Sequence, residues 1–431
     1  MWIALCAMVA LFVCAAGAGQ AAAPAAERPE ALAPTPAAPG EAPTGLDGRS
    51  NGLVDDATHA ADREVFDEVE GVDDGLGPVY NAQACRECHQ SPVSGAASQV
   101  TELRVGHLDR LRRFANPVIP LGDGSESIRD RSLVNDRTVC PNAEFPDIDA
   151  ASHVPRSEKI QALRISLGVL GDGFVEAIPS ETLVALAGEQ CRRSGGRICG
   201  QVVRVPVLEA QGSLRVGRFG WKAQHASLLS FSADAYLNEM GITSRLQPDE
   251  VATRCDAIED PEDETGPDGL DDIDRFARFM RALPAPPRDE AIAREPDAVA
   301  GEERFREIGC ETCHVKTHVT APAGSVVNGG AFTVPEALGN KRIHPFSDFL
   351  LHDVDTGDGI VQNGGERTAR KLRTAPLWGL RLRTRLMHDG GSLGAESALL
   401  RHGGEAEGAV SRYRRLPRDA QRELLRFLAS L

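Results

Sequence analysis

The sequence predicts a mainly α-helical protein of two tandem domains, with long loops and a β-hairpin inserted in the first. Three observations carry that reading. The run Cys-x-x-Cys-His occurs twice, ending at His89 and at His314. Each run follows a short segment bearing a Phe, Phe66 in one case and Phe305 in the other. Each half then closes on apolar residues at helical spacing. These are Phe276, Phe279, Met280 and Leu283 in the first half, and Leu424, Leu425, Leu428 and Leu431 in the second.

Taken in order, residues 1–18 are apolar or small and end in Ala16-Gly17-Ala18. That is the pattern of a secretory signal peptide, which places the mature protein in the periplasm or otherwise outside the cytoplasm. No Lys or Arg precedes the run, so an uncleaved membrane anchor is the alternative. Nothing after residue 20 is long and apolar enough to span a bilayer. Residues 19–50 are rich in Ala and Pro and read as a disordered tether. Residues 51–284 form the first expected domain. Within it Val203, Val205 and Val207 alternate, as do Leu214 and Val216, on either side of Glu209-Ala-Gln-Gly-Ser213. That alternation predicts the hairpin. Pro284-Ala-Pro-Pro287 stops the closing helix and marks the boundary to the second domain, residues 285–431.

The formal net charge is -16. A phosphate backbone needs clustered Lys and Arg, so nucleic acid is not an expected partner. A small, basic redox protein is. Ten cysteines are present. Cys6 and Cys14 leave with the signal, and four belong to the repeated motifs. Cys140, Cys191, Cys199 and Cys255 remain, an even number in an exported chain, which predicts disulfides. Cys191 and Cys199 flank the turn-forming Ser194-Gly195-Gly196 and are expected to pair, leaving Cys140 with Cys255.

Two Cys three residues apart lie on one side of a helical turn and can bond both vinyl groups of one porphyrin. The adjacent His then ligates iron. Cys85, Cys88 and His89 are therefore expected to hold one haem c, and Cys310, Cys313 and His314 a second. A zinc site or a redox dithiol is the alternative. Helix, haem site, loops and closing helix is the plan of a cytochrome c domain, stated twice. Met387 is the expected further ligand of the second iron, because a thioether raises the potential of an electron reservoir. His352 and His388 are its rivals, and His107 is a candidate at the first iron. Glu176, inside the apolar run Phe174 to Ile178, is expected to be a catalytic acid–base with its pKa raised by burial. Trp221 is expected to relay electrons between the haems, as against simple core packing.

The chain also resembles the di-haem oxidoreductases, a family designated as peroxidases or thiol oxidoreductases. The matching runs are Phe66 to His89, Phe174 to Pro179, Gly217 to Gln224, Met240 to Ser244, His344 to Asp353, Arg373 to Leu380 and His402 to Ala406. The family is similar to bacterial di-haem cytochrome c peroxidases and to the di-haem enzyme that matures a tryptophan-derived quinone. The resemblance implies a high-potential haem feeding a peroxide-reactive haem, and often a calcium ion between domains. Met387 departs from it, standing where many relatives carry Leu. The expected function is electron transfer through two haems coupled to reduction of a peroxide-type substrate. A non-catalytic di-haem shuttle and an oxidase acting on a partner protein are the alternatives.

Overall fold

The computed structural model describes residues 25–34, 38–121, 124, 126–140, 153–253 and 265–431. Expectations for the signal segment and for Cys255 lie outside these residues. No helix among the described residues is long and apolar enough to cross a membrane.

Helices organise the surroundings of both motifs. Helix α1 (Asp56–Asp67) starts where the Asp55 carboxylate accepts a hydrogen bond from the Thr58 amide. Helix α2 (Leu228–Ala235) is capped in the same way by Ser227. Helix α3 (Asp272–Ala282) buries Ile273, Phe276, Ala277, Phe279 and Met280 and ends just before Pro284. Both α1 and α2 pack against α3. In the second half, α4 (Pro296–Glu307) begins on a proline, whose missing N–H costs nothing there. It packs against α5 (Arg418–Leu428), which buries Leu424, Phe427 and Leu428. Both closing helices therefore form with the apolar faces their spacing predicts.

The predicted hairpin is present. Arg204–Pro206 pairs antiparallel with Ser213–Val216, Arg204 opposite Val216 and Pro206 opposite Leu214. The label "mainly α" needs correcting, however: 32% of the described residues are helix and 17% strand. The largest additional piece is a sheet between the first motif and Arg164. In it Thr101–Leu108 is flanked by Ile160–Ile165, with Phe114–Ala115 and Leu133–Val134 also pairing to it. Its strands come from distant stretches of sequence, so local alternation gave no warning of the pairing.

The expected disordered tether is corrected more sharply. Ala26–Glu27 runs parallel to Ser213–Val216 as a third strand of the hairpin sheet. Gly40–Glu41 runs parallel to Lys341–Ile343 in the other half of the chain. Between them Glu30 is buried against Arg215, with Nε to Oε1 at 2.7 Å, and accepts from the Ser180 amide and hydroxyl at 2.8 Å each. Thr44 bridges to Ala285 in the Pro-rich boundary segment. The described residues of this segment thus form a strap across both halves. Composition misled because the strap borrows its partners from the rest of the fold and needs few bulky side chains of its own.

Candidate functional site

The first motif occupies the short helix Cys85–Cys88, with His89 as its C-cap. The second occupies the turn Cys310–Thr312, and the His314 amide donates to the Cys310 carbonyl at 3.0 Å. The two settings match in detail. Phe66 lies 6.3 Å from the His89 ring and Phe305 lies 6.2 Å from the His314 ring, each tilted by 55°. The Phe preceding each motif is thus the wedge that packs its histidine.

All four motif cysteines are free. Burial pushes the Cys88 and Cys310 thiols up to about 12 and raises Cys85 and Cys313 as well. Neutral buried thiols are the opposite of the low-pKa thiolates of a redox dithiol. Nor do the two cysteine pairs converge as a zinc site would require. Among the described residues one group has metal-holding geometry: Cys313, Asp348 and His352. Its sulfur belongs to the second motif, and the set is not the all-oxygen shell that calcium takes. Burial also pushes His89 and His314 down to about 4, so both imidazoles are neutral with a lone pair to give. His314 Nδ1 lies 3.0 Å from the Phe346 carbonyl. The carbonyl can only accept, so Nδ1 carries the proton and Nε2 is left for a metal.

A cavity of about 1140 Å³ adjoins the second motif. Cys310, Cys313 and His314 line it, together with Trp221, Arg373, Arg383, Met387, His388 and His402. It is large enough for a cofactor of porphyrin size. Arg373 and Arg383 have no carboxylate within ion-pair distance among the described residues. Arg373 Nε donates to the Gly220 carbonyl at 2.7 Å, and Arg383 Nη2 to the Trp378 carbonyl at 3.0 Å. Burial pushes both guanidinium groups down to about 10. Buried Asp172 acts on both from beyond ion-pair distance and is itself pushed up to about 7 by burial, so two desolvated cations on the wall of a cavity leave room for further anions. A haem brings two propionates. Free paired thiols, a ligating imidazole and these arginines together fit the group.

Trp221 lies on the wall of this cavity. Its Nε1 donates to the Ile165 carbonyl at 2.8 Å, and its ring meets His388 edge-on at 6.1 Å. The neighbouring Ser166 hydroxyl donates to the carbonyl of Cys88. A chain of covalent and hydrogen bonds therefore runs from the first motif through Ser166 and Ile165 to the cavity wall of the second. Trp378, by contrast, is a buried member of the main core.

Glu176 is placed differently from the expectation. It is fully buried but lies off the cavity wall, and both carboxylate oxygens are taken. Arg281 donates from Nε at 2.7 Å and Nη2 at 3.0 Å, and the Asn328 amide and the Leu228 backbone N–H donate at 2.9 Å each. Burial alone would raise its pKa, but the Arg281 charge and these hydrogen bonds outweigh it and hold the carboxyl below its ordinary value. The expected upward shift is thus reversed, because the sequence run around Glu176 does not reveal an arginine on α3. Glu176 instead ties α2 and α3 to the Asn328 turn.

The histidine rivals separate too. His352 Nε2 lies 2.9 Å from Asp348 and Nδ1 lies 2.7 Å from Glu405, so it is held as a buried cation with no lone pair for iron. His107 lies on a strand and pairs with Glu158 at 2.8 Å. His388 is buried, and its Nδ1 has no hydrogen-bond partner. Met387 lines the cavity with a left-handed backbone, φ 68°. Sequence reasoning gave no role to His402, although it lines the same wall. It also missed the Glu102–Glu239 carboxyl pair beside Cys88, in which burial and the Glu102 charge push Glu239 up to about 8. These two residues meet only through the sheet and a π-helical turn, Tyr236–Met240.

Residues 149–431 match the family described as "Di-haem oxidoreductase, putative peroxidase". The match takes in the second motif, Glu176, Trp221 and the cavity lining apart from Ala97, while the first motif lies before it. No curated protein matches the chain. Among solved structures, hydrazine synthase of Kuenenia stuttgartiensis, determined under xenon pressure, aligns at 11% identity. That alignment covers 91% of this chain and 90% of that one, with a TM-score of 0.39. On the family match, this chain belongs to the di-haem oxidoreductases.

Proposed function

We propose that the chain is an exported di-haem c-type cytochrome that moves electrons between two covalently held haems and delivers them to a peroxide. The observation that carries this reading is the bonded route Cys88–Ser166–Ile165–Trp221, which runs from one attachment motif to the cavity of the other. When bound, haem supplies reversible one-electron chemistry. The remaining tasks fall to the chain. His89 and His314 present neutral imidazoles to iron, and the four cysteines hold the porphyrins. Arg373 and Arg383 offer guanidinium groups to propionates. Trp221 bridges the two sites as the electron relay. Reducing hydrogen peroxide to two waters consumes two electrons and two protons. A small redox protein would supply the electrons, and a basic one suits the net charge of -16. The periplasm, or another site outside the cytoplasm, is the proposed location.

The commitment of Glu176 to Arg281 favours a second reading, a di-haem shuttle without catalysis, because the carboxylate nominated for proton transfer is not free. Stopped-flow mixing of half-reduced protein with hydrogen peroxide separates the two. Rapid, stoichiometric reoxidation is the expected result. A half-reduced protein inert to peroxide would leave the shuttle.

A further inference from the structure

Two cavity histidines have no task so far: His388, which packs edge-on against Trp221 and whose Nδ1 is unpartnered, and His402. His402 Nδ1 lies 2.8 Å from the Ala398 carbonyl, one turn back on the short helix Ala395–Leu400. A carbonyl only accepts, so Nδ1 carries the proton and the Nε2 lone pair is bare. Among the described residues Nε2 makes no hydrogen bond. His314 is prepared in the same way, by the Phe346 carbonyl. Two histidines on one cavity thus share the arrangement that second-shell carbonyls impose on metal-ligating imidazoles. Both rings line the same cavity wall beside Cys310 and Cys313.

His402 is held in place from its other side as well. The Gly403 amide donates to the Val354 carbonyl at 2.9 Å, and the Gly404 amide to Asp355 at 2.8 Å. A Cβ on Gly403 would stand 2.6 Å from the Asp355 carboxylate, and one on Gly404 would stand 2.4 Å from the Asp353 carbonyl. At Gly404, with φ 50° and a backbone carbonyl facing it, a side chain is excluded. Glu405 then reaches His352, which lies 3.8 Å from the Cys313 sulfur. His402 is therefore clamped to the Val354–Asp355 segment, which is tied through Glu405 and His352 to the Cys313 sulfur. The Met387 loop is held too, by the Leu386–Ser392 bridge, by the Ile165 amide donating to the His388 carbonyl at 2.8 Å and by the Arg401–Asp389 pair, but Met387 itself stands in a left-handed backbone, φ 68°.

We propose that His402, through Nε2, is the second protein ligand of the iron of the haem attached at Cys310 and Cys313, giving that iron two imidazoles. The proposal rests on the haem reading above. It assigns the place that the sequence alone assigned to Met387.

The test uses the full chain carrying its haems and begins with a pyridine haemochrome count. Fewer than two haems would overturn the haem reading itself; two haems isolate the ligand question. Electron paramagnetic resonance and near-infrared spectra of the oxidised parent should show a bis-imidazole low-spin centre and no thioether–iron charge-transfer band. His402→Gly should lose that low-spin signal at an unchanged haem count and regain it on addition of free imidazole. Met387→Leu should leave the spectra and both midpoint potentials unchanged. His402→Met retains a ligand should the glycine variant fail to fold, and should raise one midpoint potential while leaving the other in place. A thioether band in the parent that Met387→Leu abolishes would overturn the assignment to His402. So would an unaltered low-spin signal in His402→Gly, or two unaltered potentials in His402→Met.

Discussion

Glu30 offers the sharpest test of the strap, because one carboxylate there answers two buried guanidinium groups. Arg215 is bonded to Glu30 and otherwise to the Asn328 side chain and the carbonyls of Ala226, Glu176 and Ile178. Arg218, fully buried, is bonded only to carbonyls and the Ser180 hydroxyl, and burial pushes it down to about 9. Glu30→Gln preserves shape but removes the only negative charge in contact with this pair among the described residues. Breaking a buried pair from one side typically costs about 3–5 kcal/mol, because the remaining charge stays desolvated. Unfolding entropy of about 2.1 cal/mol/K per residue over this chain length is roughly 0.9 kcal/mol/K. The variant should therefore melt about 3–6 °C below the parent if the chain unfolds as one unit. Differential scanning calorimetry on the haem-loaded protein measures this. Burial would raise the Glu30 pKa, but the Arg215 and Arg218 charges dominate and hold it below the ordinary carboxylate value of 4.5. A depressed carboxyl contributes stability that is complete above the unfolded-state pKa and is lost as pH falls through the folded one. The gap between parent and variant should thus be constant near neutrality and close below about pH 4. Glu41→Gln is the control, since its pair with Arg342 is exposed and worth about 0–1 kcal/mol. Equal melting temperatures for Glu30→Gln and Glu41→Gln would refute the clasp.

Glu176→Gln should leave haem content intact and destabilise the fold by about 3–5 kcal/mol, because Arg281 would remain buried without its anion. Chemical denaturation measures it, and an unchanged midpoint would show that Arg281 had found another partner. Cys199→Ser opens a disulfide whose cysteines are 8 residues apart, so the loss should be about 2–3 kcal/mol, read from the same denaturation curves. Trp221→Phe removes the bond to the Ile165 carbonyl and should slow electron exchange between the haems after flash reduction, with both midpoint potentials preserved. An unchanged exchange rate would return Trp221 to a packing role.

Much of the fold was legible because its signals are local. The spacing of Phe276, Phe279 and Met280, and that of Leu424 and Leu428, marks the buried faces of α3 and α5. Alternating Val and Leu marks the hairpin, and the Ser-Gly-Gly turn brings Cys191 and Cys199 into the disulfide the structure contains. Cys140 is disulfide-bonded as expected, with its proposed partner outside the described residues. The sheet between the first motif and Arg164 was not legible, since Ile160–Ile165 pairs with Thr101–Leu108 across a long stretch of chain. The strap was misread because low hydrophobicity signals disorder only when a segment must stabilise itself.

By itself the sequence carried the proposal of where the haems attach, since two cysteines and a histidine within five residues carry their geometry on one turn. It also determined the closing helices and the hairpin, whose periods are properties of the backbone. Only the tertiary structure decided what the charged and ligating groups do. Glu176 changes from a raised acid to a depressed anion because Arg281 stands beside it. His352 loses its lone pair to Asp348 and Glu405, and the Ala398 carbonyl leaves His402 Nε2 free. The protonation state and free valence of a buried group depend on partners brought close by folding. In a desolvated interior one such neighbour outweighs the intrinsic preference of the residue.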